Sequence, residues 1–175
     1  MISLENICSR KDDVISFTNL NGSFEAGRIH GIWNETDAVN TSFLQLLTGD
    51  LPLSSGAIRY RGGTLNHTDV AYYDRIDLPW LNFRNESLPD QYNNKSVYLF
   101  DNIFNSADVR SSVRFYKIIL PLKEMGGTIL ITSTDHTTLK ASTDYFHIFS
   151  KGAFQARLDV NQYYLLDDVF RHIRQ

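Results

Sequence analysis

The chain has 175 residues, 42% of them apolar, a formal net charge of −3 and one cysteine. That composition supports one hydrophobic core, is too apolar for a disordered chain, and lacks the basic stripe with which proteins meet nucleic acid. A lone Cys8 excludes an internal disulfide, and no apolar run reaches the roughly 20 residues of a membrane helix.

Ile2–Cys8 and Val14–Phe24 read as short β-type stretches leading to Arg28–Trp33, a strand that runs into a loop. Cys8, ending the first stretch, is expected to be a buried, inert thiol. Thr41–Leu47 carries Phe43, Leu44, Leu46 and Leu47 at helical spacing, with Gly49 in the C′ role and Pro52 beyond it. Ala57–Arg61 and Asp69–Tyr73 follow as two strands with Gly62-Gly63 as the turn between them. Residues 75–96 are polar and irregular, and Val97–Asp101 is a buried type of strand. Asp108–Met125 predicts a helix with Val109, Val113, Tyr116, Ile119 and Leu120 on one face, and Pro121 is expected to kink or end it. Thr128–Thr132 is another buried strand and Thr137–Ala141 a short helix. Tyr145–Phe149 and Phe154–Leu158 form a hairpin around Lys151-Gly152, and Tyr163–Ile173 is a terminal amphipathic helix. Alternating strands and helices after an antiparallel start predict a three-layer α/β core with a small antiparallel β subdomain. With no repeat and no linker, residues 1–175 read as one domain.

The most informative stretch is Gly31-Ile32-Trp33-Asn34-Glu35-Thr36-Asp37-Ala38-Val39-Asn40-Thr41-Ser42. It has the frame of a phosphate-binding loop, G-x-x-x-x-G-K-[ST], whose glycines bend backbone N–H groups around phosphates. Asn34 and Val39 stand at the glycine positions and Asn40 at the lysine, and only Thr41 is retained. Around it lie Ile2–Ile7, Phe24–Ile32, Leu46-Leu47-Thr48-Gly49 and Ser55–Gly62. Further on come Val97–Asn102, Asn105–Asp108, Gly127–Asp135 and Asp144–Phe149 with Gly152. In that order and at those distances the chain resembles the ATP-binding subunits of ABC transporters over nearly its whole length. The resemblance implies a P-loop NTPase-like core, and in working members ATP and magnesium.

Position by position, the chemistry that the resemblance implies is missing. Asn40 brings no charge to the phosphates, β-branched Val39 resists the backbone that glycine allows, and Asp37 places a negative charge where a polyphosphate would lie. Thr41 is expected to be a helix-start residue. Asp101 matches the family's magnesium-orienting aspartate, but Asn102 stands where the family carries the glutamate that activates water, and a neutral amide is no general base. The polarising histidine falls on Thr134, with His136 nearby as an exposed histidine, and the γ-phosphate glutamine falls on Arg75. No aromatic lies between Ile7 and Phe17, where the family stacks adenine. The interval Ile76–Phe100 is too short for the family's helical subdomain, and the Leu-Ser-Gly-Gly-Gln signature is absent. Asp101 is therefore expected to be structural, bonded to the emptied loop or to Thr41.

The expected function is that of a non-catalytic pseudo-ATPase with no cofactor and no metal, serving as a scaffold or regulatory subunit. The alternative is an accessory ATP-binding subunit that keeps weak nucleotide binding through Thr41 and Asp101. The expected partner is a protein, either a membrane-associated or ABC-type complex or a second copy, with no nucleic acid and no direct membrane insertion. Tyr72, Tyr73, Trp80, Phe83 and Tyr92 offer an aromatic surface, or cover core that the missing subdomain would have shielded; both readings stand. Ser106 and Asp108 lie in a stretch that resembles the loop at which family dimers meet. Glu5 and Asn6 occupy a stretch that a signal peptide would make apolar, so a cytoplasmic place is expected, at the inner face of the membrane through a partner. The Asn-x-Ser/Thr triplets at Asn21, Asn34, Asn40, Asn66, Asn85 and Asn94 follow from an Asn- and Ser/Thr-rich composition and carry no expectation of glycosylation.

Overall fold

The computed structural model describes residues 1–11, 15–74, 95–103 and 109–173, with backbone alone at 11, 15 and 109–112. Its first element is an antiparallel ribbon, β1 (Ile2–Lys11) against β2 (Ile15–Phe24), in which Ile2, Leu4, Ile7, Phe17, Leu20 and Phe24 all turn to one buried face. Two register shifts along the ribbon let that face stay inward over its length. β4 (Ser55–Tyr60) pairs with the other side of β1, and a turn at Arg61-Gly62, both at positive φ, returns the chain as β5 (Gly63–Thr64). These strands form a four-stranded antiparallel sheet in the order β2-β1-β4-β5.

The central sheet has six strands in the order β10-β9-β3-β8-β7-β6. Here β3 is Arg28–Trp33, β6 Val70–Tyr73, β7 Val97–Phe100, β8 Thr128–Ser133, β9 Tyr145–Ser150 and β10 Ala153–Asp159. All pairings are parallel except the β9–β10 hairpin, which turns at Lys151-Gly152. Strands β7 and β8 are buried on both faces, as their continuous apolar runs require in a parallel sheet. α2 (Val109–Glu124), α3 (His136–Ser142) and α4 (Leu166–Ile173) cover one face through Phe115, Ile118, Ile119, Leu122, Leu139, Leu166 and Phe170. The antiparallel sheet and α1 (Asp37–Thr48) cover the other through Phe24, Phe43, Leu44, Leu46 and Leu47, packed on Ile32, Leu99, Leu130 and Phe149. The result is a three-layer α/β core with a small antiparallel sheet.

Several local expectations are corrected. The Gly62 turn joins β4 to β5, not to β6, which enters the central sheet beside β7 after a 3-10 turn at His67–Asp69. Cys8 lies inside β1, which continues to Lys11, and is only half-buried; the Ser55 hydroxyl, then the Asn19 N–H, hold its thiol below the usual value. On α2, Ile119 and Tyr116 do pack on the core as expected, but Val113 and Leu120 face solvent, and Phe115, Ile118 and Leu122 complete the buried face. Apolar residues extend beyond one stripe of that helix, so periodicity alone places the buried face only in part. α2 carries Pro121 in its last turn and ends three residues on at Glu124, as expected of a proline near the helix end. It stops at Gly126 (φ 85°), with Gly126 N–H donating to Lys123 O and Gly127 N–H to Leu122 O, the double bond of a Schellman end. The terminal segment is a 3-10 turn at Val160–Leu165, capped by Asp159, before α4 begins. No helix among the described residues is long and apolar enough to cross a membrane.

Candidate functional site at the carboxyl ends of the parallel strands

In open α/β sheets ligands bind beyond the carboxyl ends of the strands. The register here brings three such ends together: Trp33 of β3 stands opposite Ser133 of β8, and Phe100 of β7 opposite Ile131 of β8. Asn34, Asp101 and Asn102, the next residues along, are all buried at that edge.

The β3–α1 loop is short. Only Asn34, Glu35 and Thr36 separate the strand from the helix, and Asp37, Val39 and Asn40 already belong to α1, with Asn40 N–H donating to Thr36 O at 3.3 Å. None of the residues from Gly31 to Thr48 has positive φ. Asn34 organises the loop. Its Oδ1 accepts from the Thr36 N–H (2.9 Å) and hydroxyl (3.0 Å), while its Nδ2 donates to Phe149 O (2.8 Å) on β9. With its hydroxyl taken, Thr36 occupies the N-cap position without a side-chain cap bond. Asp37, exposed in the first turn, suits the positive end of the helix dipole. Thr41 is not a helix-start residue, because the helix begins at Asp37 and places Thr41 in its second turn.

Beneath the loop runs a chain of amides and hydroxyls. Asn40, fully buried, donates from Nδ2 to Asn102 Oδ1 (3.0 Å), while its Oδ1 makes no hydrogen bond. Asn102 Nδ2 donates to Asp101 Oδ1 (2.8 Å) and reaches Asp37 O (3.3 Å) and Thr41 Oγ1 (3.5 Å). The Asn102 backbone sits at φ 49°, a left-handed conformation that Asn tolerates better than most residues. Asp101 also accepts from Thr132 Oγ1 (3.0 Å) on Oδ1 and from the Tyr72 hydroxyl (2.7 Å) on Oδ2. Burial, then the bond to Asp101, pushes the Tyr72 phenol far above its usual range, so Tyr72 is a fixed donor.

Asn40, Thr41, Asp101 and Asn102 are thus brought together as the sequence implied, but the partners of Asp101 differ. It bonds to Tyr72, Thr132 and Asn102, and reaches Thr41 only through Asn102. Sequence reasoning missed Thr132 altogether, whose hydroxyl is one of three in β8 with Thr128 and Ser133 and so gave no distinct signal. Tyr72 and Tyr73 are not surface aromatics: Tyr73 is 2% exposed and stacks on Phe100 (4.9 Å), and Tyr72 is bound to Asp101. Thr134 lies past the end of β8, where its carbonyl accepts from Trp33 Nε1 (2.9 Å). His136 is exposed, as expected, and edge-on to Trp33 and Phe170. Arg75, Trp80, Phe83, Tyr92, Ser106 and Asp108 lie outside the described residues.

The six-stranded sheet with its antiparallel companion is the fold of the ATP-binding subunits of ABC transporters. A solved ATP-binding subunit of an ABC transporter is similar over 100% of both chains, with a TM-score of 0.75 and 13% identity. CbiO1 of Clostridium perfringens, part of the ABC transporter complex CbiONQ, is similar over 98% of this chain and 93% of its own (TM-score 0.73, 11% identity). The ATP-binding cassette MJ0796, in a dimeric post-hydrolysis state with ADP and phosphate, is similar over 91% and 99% (TM-score 0.69, 12% identity). At such identities the likeness is one of fold. No protein-family profile matches the sequence, and no curated protein matches it.

Proposed function

We propose that this chain is a non-catalytic pseudo-ATPase: one domain of the ABC ATP-binding-subunit fold, without the helical subdomain, acting as a scaffold or regulatory protein-interaction subunit. The observation that supports it most is the buried chain Asn40–Asn102–Asp101, closed by Thr132 and Tyr72. The residues present do not fit a magnesium–polyphosphate group. The loop enters its helix without a left-handed residue, and the side chain at the lysine position is neutral and bonded inward. The acid's two oxygens already accept three donors. At the general-base position stands an amide whose Nδ2 donates to that acid, so it has no basic atom to receive a proton from water.

Thr41 and Asp101 remain joined through Asn102 Nδ2, and this favours the second reading, an accessory subunit with weak residual ATP binding. Thermal unfolding separates the two. A ligand at 100 times its dissociation constant stabilises by about 2.7 kcal/mol, several degrees for a chain of this size. Millimolar Mg-ATP is expected to leave the melting temperature unchanged, and a shift of several degrees would favour the accessory subunit.

Loss of catalysis leaves binding another protein as the simplest selectable role, which would bring the chain to a membrane complex or to a second copy. The solved neighbours are parts of complexes or dimers by their own descriptions. Alanine at both Trp80 and Phe83 is expected to cut recovery of the native partner roughly thirtyfold, since a central aromatic anchor contributes about 2 kcal/mol or more. Unchanged recovery from a folded double variant would remove that segment and leave Ser106–Asp108 to be tested.

A further inference from the structure

Two histidines that belong to no nucleotide chemistry meet inside the protein. His30 on β3 is 0% exposed and His147 on β9 is 3% exposed, and His30 Nδ1 lies 3.1 Å from His147 Nε2. The other nitrogen of His30, Nε2, is 3.2 Å from the Glu25 carbonyl oxygen. A carbonyl only accepts, so His30 carries its hydrogen on Nε2, and in the neutral ring Nδ1 is then a bare acceptor. It follows that His147 Nε2–H donates to His30 Nδ1 and that His147 Nδ1 is bare. The tautomers of both rings are fixed by one backbone carbonyl.

The pair sits at the joint between the two sheets. Phe24, the last residue of β2, stands edge-on to His30 (5.3 Å) and tilted against His147 (5.1 Å), and Phe154 of β10 packs on His147 (5.5 Å). Charged and titratable groups surround it: Glu25 at the end of β2, Asp144 and Tyr145 at the start of β9, Arg157 on β10 and Lys123 on α2. Tyr145 stacks on His30 at 5.4 Å, and Arg157 lies over the Tyr145 ring at 3.9 Å. Arg157 holds Glu25 Oε1 (2.6 Å) and Lys123 holds Asp144 (2.7 Å), while Glu25 Oε2 lies 3.6 Å from His30 Nε2 and favours an imidazolium there, though less than burial opposes it.

We propose that His30 and His147 form an acid-sensitive latch, which holds the antiparallel sheet on the central sheet while both rings are neutral and releases it when they gain protons. One extra proton can enter at His147 Nδ1 and leave the bond intact, but as a cation at a site 3% exposed. A second would set N–H against N–H across 3.1 Å, between two like charges. The direction of both rings agrees. Burial lowers His30 to about 4, and burial, then the neighbouring His30 and Arg157, lower His147 well below its ordinary value. Because folded-state values are depressed, the stabilisation is complete above the unfolded value of about 6.5 and is lost as pH falls from there towards 4.

The experiment is hydrogen exchange, corrected for intrinsic rate, stepped from neutral pH to about pH 4, with ring 15N shifts read on the same protein. At neutral pH both rings are expected as neutral Nε2–H tautomers. On acidification the β1–β2 amides should lose protection before those of β7–β8. In His147→Gln, whose amide can still donate to His30 Nδ1, that loss should move down by about one pH unit. Should this variant not fold, the unmodified protein decides alone. Simultaneous loss of protection in both sheets, an unshifted loss in folded His147→Gln, or a ring titrating at its ordinary value would overturn the latch.

Discussion

Replacing Phe43 by alanine should cost about 3–5 kcal/mol, the range for truncating a buried phenylalanine. Phe43 is fully buried on the inner face of α1, with ring centroids 5.5 Å from Phe154, 5.9 Å from Phe149 and 6.2 Å from Phe24. One ring therefore ties α1 to β2, β9 and β10, and its removal opens a cavity that four elements would have to close together. Urea unfolding should show a lower midpoint at an unchanged slope, and the melting temperature should fall by roughly 10 °C. Tyr164, 77% exposed, is the control; its alanine variant should stay within about 0.5 kcal/mol of the parent. A loss below about 1.5 kcal/mol at Phe43 would contradict the packing described for that joint.

Asp101→Ala should be the most damaging change at the candidate site. It orphans the Tyr72 hydroxyl and removes the acceptor of Asn102 Nδ2 and Thr132 Oγ1. A buried donor left unsatisfied costs about 1–3 kcal/mol. Asn102 can fall back on Asp37 O and Thr132 on Phe100 O, both at longer range, so a total of roughly 2–4 kcal/mol is expected. Asp101→Asn should lose less, because one oxygen still accepts and the Tyr72 hydroxyl can rotate to accept from the new amide. Equilibrium unfolding of both variants measures the difference. A stability unchanged in Asp101→Ala would mean that the carboxylate is kept for a ligand and not for the fold, and would count against the pseudo-ATPase.

Little of this architecture was hidden. The strand feeding the loop, Arg28–Trp33, agrees with β3 at both ends, and Gly49 does sit at φ 80° past the end of α1. Those features rest on local rules: apolar runs, helical spacing, and glycine where the chain must turn left-handed. Asn34 and Asn40 are located by the frame of a phosphate-binding loop, and Asp101 and Asn102 by the resemblance to ABC ATP-binding subunits. Local rules succeed only in part on α2, where Ile119 and Tyr116 pack inward as expected but the neighbouring sheet, not the apolar spacing, leaves Val113 and Leu120 outside.

The chemical types were set by the chain itself: an amide at the lysine position, an amide at the general-base position and an acid at the end of β7. Tertiary structure alone decided what those groups touch. Tyr72 and Thr132 stand 29 and 31 residues from Asp101, and His147 stands 117 from His30. The order and register of the central sheet bring these residues together. A β-strand fixes only which residues alternate; the neighbour it takes, and so the partner each buried polar group finds, is settled by non-local pairing when the core closes.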